Sequence, residues 1–450
     1  MLAKVTAESA ELFRSRLDQM IDLNHELVQL ADRIDWSAYE LKFGPFYSDT
    51  MGAPAKPIRL MVGLSYLSRI CNLSDQAVVE RTMENPYWQY FCGFEYFQKT
   101  LPTDPSNLIR WRKRIGKDGA EFLLQMTIKT AIAQKQITPL EMAKVNVDTT
   151  VQEKAIRFPT DARLYHRMLI ILVKAAKKAS IKLRQNCLKL ARKAFLRQSR
   201  YAHAQQFKRA AKCTKSLKIY LGRVFRDITR KLNTSDEQIK PLLETAELLL
   251  KQQRNDKNKL YSIHEQAVEC IAKGKIHKKY EYGNKVSVVS TSRNNWIVGL
   301  QSLHGNPFDG HTLSGALEQV KSLTGMKPHK AYVDEGYKGN GNAIGDTEIH
   351  LVNWKNKKKL TRTEIKWRKR RAAIEPIIGH LKSDHRMNRN LLKGILGDDI
   401  NALLAACGKN LRKLMQIHLW LIFGTDILDK LAENNRQRTN GFINRSLQTV

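Results

Sequence analysis

Residues 145–151 read VNVDTTV, a short β-branched run that sets Val145 and Val147 on one face of a strand and Asp148 on the other. Residues 331–337, AYVDEGY, repeat the device: a strand that gives way at Asp334 to Glu335 and Gly336. Two carboxylates at adjacent strand ends repel at close range unless something cationic lies between them, and Mg²⁺ or Mn²⁺ prefers such oxygen ligands. Asp is also a common turn and cap residue, so either one alone reads as local turn chemistry. The pair carries meaning only if the two strands are neighbours.

Further strands follow from the same alternation. KVSVVSTS at 285–292 and WIVGLQSL from Trp296 read as a β-hairpin turning at Arg293–Asn295, and IHLVN from Ile349 gives another strand. A helix is expected from about His311 to Leu323. The chain is therefore read as α/β with a five-stranded core. Between the first and second strands lies a helical insert of one charge sign. Arg163 to Lys231 holds 21 Lys and Arg with Asp227 as its only acid, a net of +20 over 69 residues. Leu183, Leu188, Leu190, Ala194 and Leu196 give it helical periodicity. A solvated helix face normally mixes both signs, so a surface that tracks phosphates is the favoured reading.

The N-terminal region reads as all-helical. Apolar residues recur at helical spacing from Ala7 to about Ile34; PIRLMVGLSYLSRI from Pro57 makes another helix; CNLS is a turn; a helix opens at Ser74 with Asp75 in its first turn; another begins near Ser106. Short helices joined by tight turns suit a helix-turn-helix-like DNA reader, with ordinary helix packing as the alternative. Arg110, Arg112, Lys113 and Arg114 favour DNA.

Composition agrees with a polyanionic partner. In 450 residues, 77 Lys and Arg against 43 Asp and Glu give a formal charge of +34, well beyond what solubility needs, while 42% apolar content supports a real core. Six scattered cysteines never form a Cys-x-x-Cys pair, which argues against zinc and disulfides. With no apolar core near the amino terminus and no run of 18 uncharged apolar residues, no membrane segment is expected, and the protein is read as cytoplasmic, nucleoid-associated when bound.

A third acid stands in RRAAIEPIIGHLKSDHR, residues 370–386. On one helix Arg371, Glu375 and Lys382 would lie within about 40° of one another, beside an apolar stripe of Ile374, Ile377 and Leu381. Pro376 disfavours helix at the residue before it, which leaves two readings open: one helix through Arg371, or a helix that begins at Glu375 as its N-cap, with Lys382 on the side of Glu375 in either case. His304, Asp309 and His311 invite a metal triad, but GNPFDG reads as turn chemistry with Asp309 capping the next helix. Arg386, Arg389 and Lys393 read as DNA contacts or as a solvated face.

From roughly Pro57 to Met415 the chain resembles the transposases of bacterial insertion sequences, in particular the insertion sequence five family within the group marked by a Tyr, Arg, Glu, Lys signature. The residues that carry the resemblance are VDTTVQEKAIRFPTDARLYHR around Asp148, GNPFDGHTL from Gly305, VDEGYKG around Asp334 and RRAAIEPIIGHLKSDHR around Glu375. One position departs: Arg368 stands where the signature Tyr belongs, with Trp367 the nearest aromatic.

The resemblance implies an RNase H-like catalytic domain at 126–162 and 279–420, an all-α DNA-binding domain at 1–125, the basic insert at 163–278 and a tail at 421–450. It implies catalytic acids Asp148, Asp334 and Glu375 holding two Mg²⁺ or Mn²⁺ ions, with Asp148 bridging both. Arg371 and Lys382 would hold phosphate, their charge opposing the scissile group. The implied substrate is the element's terminal inverted repeats, cut and joined to target DNA by a homodimer or larger synaptic complex. A metal-dependent nuclease without strand transfer, or a non-catalytic DNA-binding protein, remains the alternative.

Overall fold

The computed structural model describes residues 15–48, 52, 54–232, 237–253, 255–257, 259–272, 279–339, 343–352 and 361–418. The expected tail at 421–450 and the start of the first periodic stretch lie outside these residues. The chain divides into two compact units, Met1–Gln152 with Lys285–Val450, and Glu153–Asn284.

Strands, in chain order, are β1 (Lys144–Lys154), β2 (Glu269–Ala272), β3 (Tyr280–Thr291), β4 (Ile297–Leu303), β5 (Lys330–Val333), β6 (Ala343–Ile344), β7 (Thr347–Leu351) and β8 (Arg389–Asn390). In the first unit they run in the order β3-β1-β5-β7-β6, with β4 on β3 and β8 on β1. β3 and β4 form the antiparallel hairpin expected from alternation, while β1, β5 and β7 are parallel. The expected five strands are all present, but the described residues form eight. β2, β6 and β8 escaped because two to four residues cannot show an alternation.

The N-terminal helices belong to the same unit as the sheet. Ile58–Ile70 is buried almost along its length, and Ser106–Ala133 packs Trp111, Leu123 and Leu124 inward. The latter bends at Gly116, whose φ of +65° an L side chain rarely adopts. Their core joins that of Val145, Val147, Val286 and Val288 and of a long C-terminal helix described from 394 to 418. Near its centre the Tyr39 and Tyr66 hydroxyls lie 2.8 Å apart, and Tyr66 donates to the Leu123 carbonyl at 2.9 Å, so both buried phenols are satisfied.

The second unit has its own apolar core, built by helices Asp161–Lys178, Leu188–His203, Phe207–Lys231 and Lys240–Lys251. Leu217, Leu221, Val224 and Ile228 recur at helical spacing and are fully buried, which turns the Lys and Arg between them outward. The expectation of an all-α insert needs correction, since β2 lies in it and pairs with the start of β3. Corrected too is the buried face of Leu188–His203: Leu190 and Leu196 are half-exposed, and Ala191 is buried with Leu188, Ala194 and Phe195 packed partly against the core. No described helix is long and apolar enough to cross a membrane.

Candidate active site

Parallel pairing of β1 with β5 sets Lys144 opposite Lys330, Val145 opposite Ala331 and Asn146 opposite Tyr332. Carried two residues further, that register brings Asp148 level with Asp334, and strand alternation places Asn146, Asp148, Tyr332 and Asp334 on one face. The expectation that the two acid-bearing strands are neighbours is therefore met. Asp334 caps the 3₁₀ turn Glu335–Tyr337, its Oδ1 accepting from the Gly336 amide at 3.0 Å, which leaves Oδ2 to face across the site. Asp148 Oδ1 accepts from the Thr149 amide at 2.7 Å and likewise keeps Oδ2 for other partners.

Helix Arg362–Arg371 is fastened over that face. Trp367 stacks on Tyr332 with centroids 6.2 Å apart, and Lys144 Nζ lies 3.9 Å from the Trp367 centroid. Asn146 Nδ2 donates to the Arg370 carbonyl at 3.2 Å, and Ser292 Oγ donates to Asn146 Oδ1 at 2.7 Å. This anchorage delivers Arg371, the helix's last residue, onto the acids. Its Nη2 lies 3.0 Å from Asp148 Oδ2 and 3.2 Å from Asp334 Oδ2, and its Nη1 lies 3.6 Å from Glu375 Oε1. One guanidinium thus touches all three acids singled out from sequence.

Arg371 and Glu375 do not share a continuous helix. The first helix stops at Arg371 and a second runs from Ile374 to Ser383, burying Ile374, Ile377 and Leu381 as the apolar stripe anticipated. Glu375 is not its N-cap, a position held by Ala373; Glu375 and Pro376 lie in the first turn, where a missing proline donor costs nothing. The Glu375 side chain is 68% exposed, whereas that of Arg371 is 9% exposed and its Nε lacks a hydrogen-bond partner among the described residues.

A fourth acid joins this group. Asp309 was read as a helix cap, but it is the first residue of helix Asp309–Thr324, and Phe308 holds the cap position. Its Oδ1 instead accepts from Thr149 Oγ1 at 2.9 Å and pairs with Lys285 Nζ at 2.9 Å. A Cβ at Gly336 would meet Asp334 Oδ1 at 3.0 Å and Asp309 Oδ2 at 3.3 Å, so a side chain there would push on both carboxylates by a few tenths of an ångström. Burial, and then the negative charges of Asp148, Asp309 and Asp334, push the Tyr337 phenol well above its usual range, which keeps it a protonated donor. Asp309 and Lys285 were missed as site residues because one had a local turn explanation and the other sits in an ordinary strand. His311 packs edge-on against Phe308.

Four carboxylates face two cations here, leaving an excess of negative charge that suits a divalent ion and hard oxygen donors. Among the described residues, however, no group of three or more His, Cys, Asp or Glu side chains is arranged to hold an ion. Arg371 stands between Asp148, Asp334 and Glu375.

The basic residues proposed for DNA divide. Arg110, Lys113, Arg114 and Arg389 are exposed, and Arg114 stacks on Tyr47 at 4.4 Å. Lys382 is partly exposed. Arg112 is buried and makes a two-pronged pair with Asp75, which removes it from the surface reading as a DNA contact. Arg386 is half-buried and donates to the Asn72 carbonyl at 3.3 Å. Nearby, burial and then the charges of Arg112 and Arg386 lower Arg69 to about 9. Asp75→Ala would strand Arg112 in this cationic neighbourhood, and a loss of roughly 2–4 kcal/mol in urea unfolding is expected; a loss below about 1 kcal/mol would assign the pair to the solvated surface.

Residues 15–114 match a transposase domain family (DUF772). The chain is also 51% identical over 197 residues to an uncharacterized protein, ORF8 in the nfe locus of Rhizobium meliloti, covering 44% of this chain and 95% of that relative. No solved structure matches.

Proposed function

We propose that this chain, which belongs to one family with the rhizobial ORF8 protein and carries a transposase domain, is a DNA strand-transfer enzyme of the insertion sequence five type with Asp148, Asp334 and Glu375 as its catalytic acids. The observation that carries the reading is the convergence of those three acids, from two strands and a separate helix, on the Arg371 guanidinium. An RNase H-like core is favoured by the strand order β4-β3-β1-β5-β7, a hairpin followed by parallel strands with the acids on the central pair.

Asp148, Asp334 and Glu375 would hold Mg²⁺ or Mn²⁺, and two such ions would activate the attacking oxygen and stabilise the leaving 3′-oxygen of the scissile strand. The chain's own groups supply the rest. Arg371 and Lys382 hold the phosphate by charge-assisted hydrogen bonds without taking a proton. Tyr337, kept protonated, can donate but cannot serve as a base. Lys285 holds Asp309 against Thr149, and through it the β1 segment that bears Asp148. Double-stranded DNA is the partner, with the helical region at 1–125 and the basic insert as binding surfaces and a dimer or larger synapse joining two ends.

The test is a strand-transfer assay with labelled fragments carrying the element's two ends and a supercoiled target. Joined products in Mg²⁺ or Mn²⁺ are expected. Cleavage without joining would mean a nuclease, and DNA binding with neither would mean a non-catalytic binding protein.

A further inference from the structure

The Arg371 guanidinium is mostly buried and is held by three carboxylates, yet its Nε has no partner among the described residues and Glu375, its outermost contact, is mostly exposed. Among the described residues, the partners of the Arg371 guanidinium all lie on the side that faces the acids. We infer that Arg371 is the resident counter-ion of the acidic site, which DNA must draw away before a divalent ion can bind, so that metal and DNA load cooperatively.

The argument rests on the catalytic reading above and on the chemistry of the donors. Asp148 Oδ2 and Asp334 Oδ2 both pair with Arg371 Nη2, at 3.0 and 3.2 Å. A cation cannot occupy the same position while Arg371 is there. Phosphate is a bidentate partner for guanidinium at least as good as two separate carboxylates, and it arrives with its own negative charge. Once Arg371 pairs with phosphate, Asp148 and Asp334 lose the positive charge of the guanidinium, and the site gains affinity for Mg²⁺ or Mn²⁺. Glu375, already turned outward and only 3.6 Å from Nη1, is the ligand free to close last. Arg371 is the last residue of its helix and the next begins at Ile374, so the exchange asks only for a new rotamer of the arginine side chain.

Mn²⁺ binding to the full chain, followed by electron paramagnetic resonance with and without a non-specific DNA duplex, tests the exchange. For the wild type, DNA is expected to tighten Mn²⁺ by about tenfold, and Mn²⁺ to tighten DNA by the same factor. Arg371→Gln is expected to bind Mn²⁺ about tenfold more tightly without DNA and to show little further gain when DNA is added. Arg371→Lys, which keeps a charge but lacks the second arm that reaches Glu375, should fall between. If Arg371→Gln folds poorly without metal, Mn²⁺ should raise its melting temperature more than that of the wild type; a merely structural arginine predicts a loss that Mn²⁺ does not repair. Unchanged or weaker Mn²⁺ binding in Arg371→Gln, with Asp148→Ala losing it, overturns the exchange and leaves the catalytic reading standing. Indistinguishable Mn²⁺ binding by wild type, Arg371→Gln and Asp148→Ala removes both.

Discussion

Alanine at Asp148, Asp334 or Glu375 is expected to lower metal-dependent DNA cleavage by about 10³-fold or more, since each change removes an oxygen that stabilises charge only while the phosphate is being cut. Duplex binding should hold or tighten slightly, because removing negative charge from the site cannot weaken attraction to phosphate. The three variants should differ in stability. Glu375 is mostly exposed and its loss should leave the melting temperature within a degree or two, about the scatter of a surface substitution. Asp148 and Asp334 hold a buried guanidinium, so their loss should lower stability even where no metal is present. Cleavage by labelled-duplex gel assay, binding by anisotropy and melting by circular dichroism separate these effects. Wild-type cleavage that persists in EDTA would falsify the metal reading, and variant activity within tenfold of wild type would remove these acids from the chemistry.

How much of this site the sequence disclosed depended on how local its signals were. Asp148 and Asp334 were legible because β-branched runs mark strands and an acid at the end of one is visible within a few residues. That β1 and β5 pair in a register setting the two acids level could not be read, since nothing in either segment specifies its neighbour. Glu375 and Arg371 were found by helical spacing, and the pairing is real, but it is made across a break between two helices. Arg112 shows the reverse failure. Four basic residues in a row of five positions looked like one surface, yet helical geometry turns Arg112 inward beside Trp111, toward Asp75. Asp309 was hidden by an adequate local explanation, and only tertiary packing joins it to Thr149 and Lys285.

The basic insert offers the other large effect, and its structure sharpens what should be changed. Apolar residues of helix Phe207–Lys231 are consumed by the unit's own core, so the basic residues between them are not needed to build it. Lys178, Lys182, Lys193 and Lys208 are all exposed, and replacing them with Gln should leave folding intact while removing four positive charges. Each phosphate they neutralise contributes about 0.9 to the slope of log affinity against log salt. The quadruple variant should therefore lose roughly one to four units of slope, and at low salt its DNA affinity should fall by about one to several orders of magnitude. Preference for the element's ends over unrelated duplex should change little, because phosphate contacts carry no sequence information. Lys178 also lies 3.4 Å from Gln238 Oε1, so a triple variant that spares it separates a loss of phosphate contact from any loosening of that helix end. An unchanged slope would assign the insert's charge to another partner, whereas lost end preference at constant slope would mean that these helices read bases.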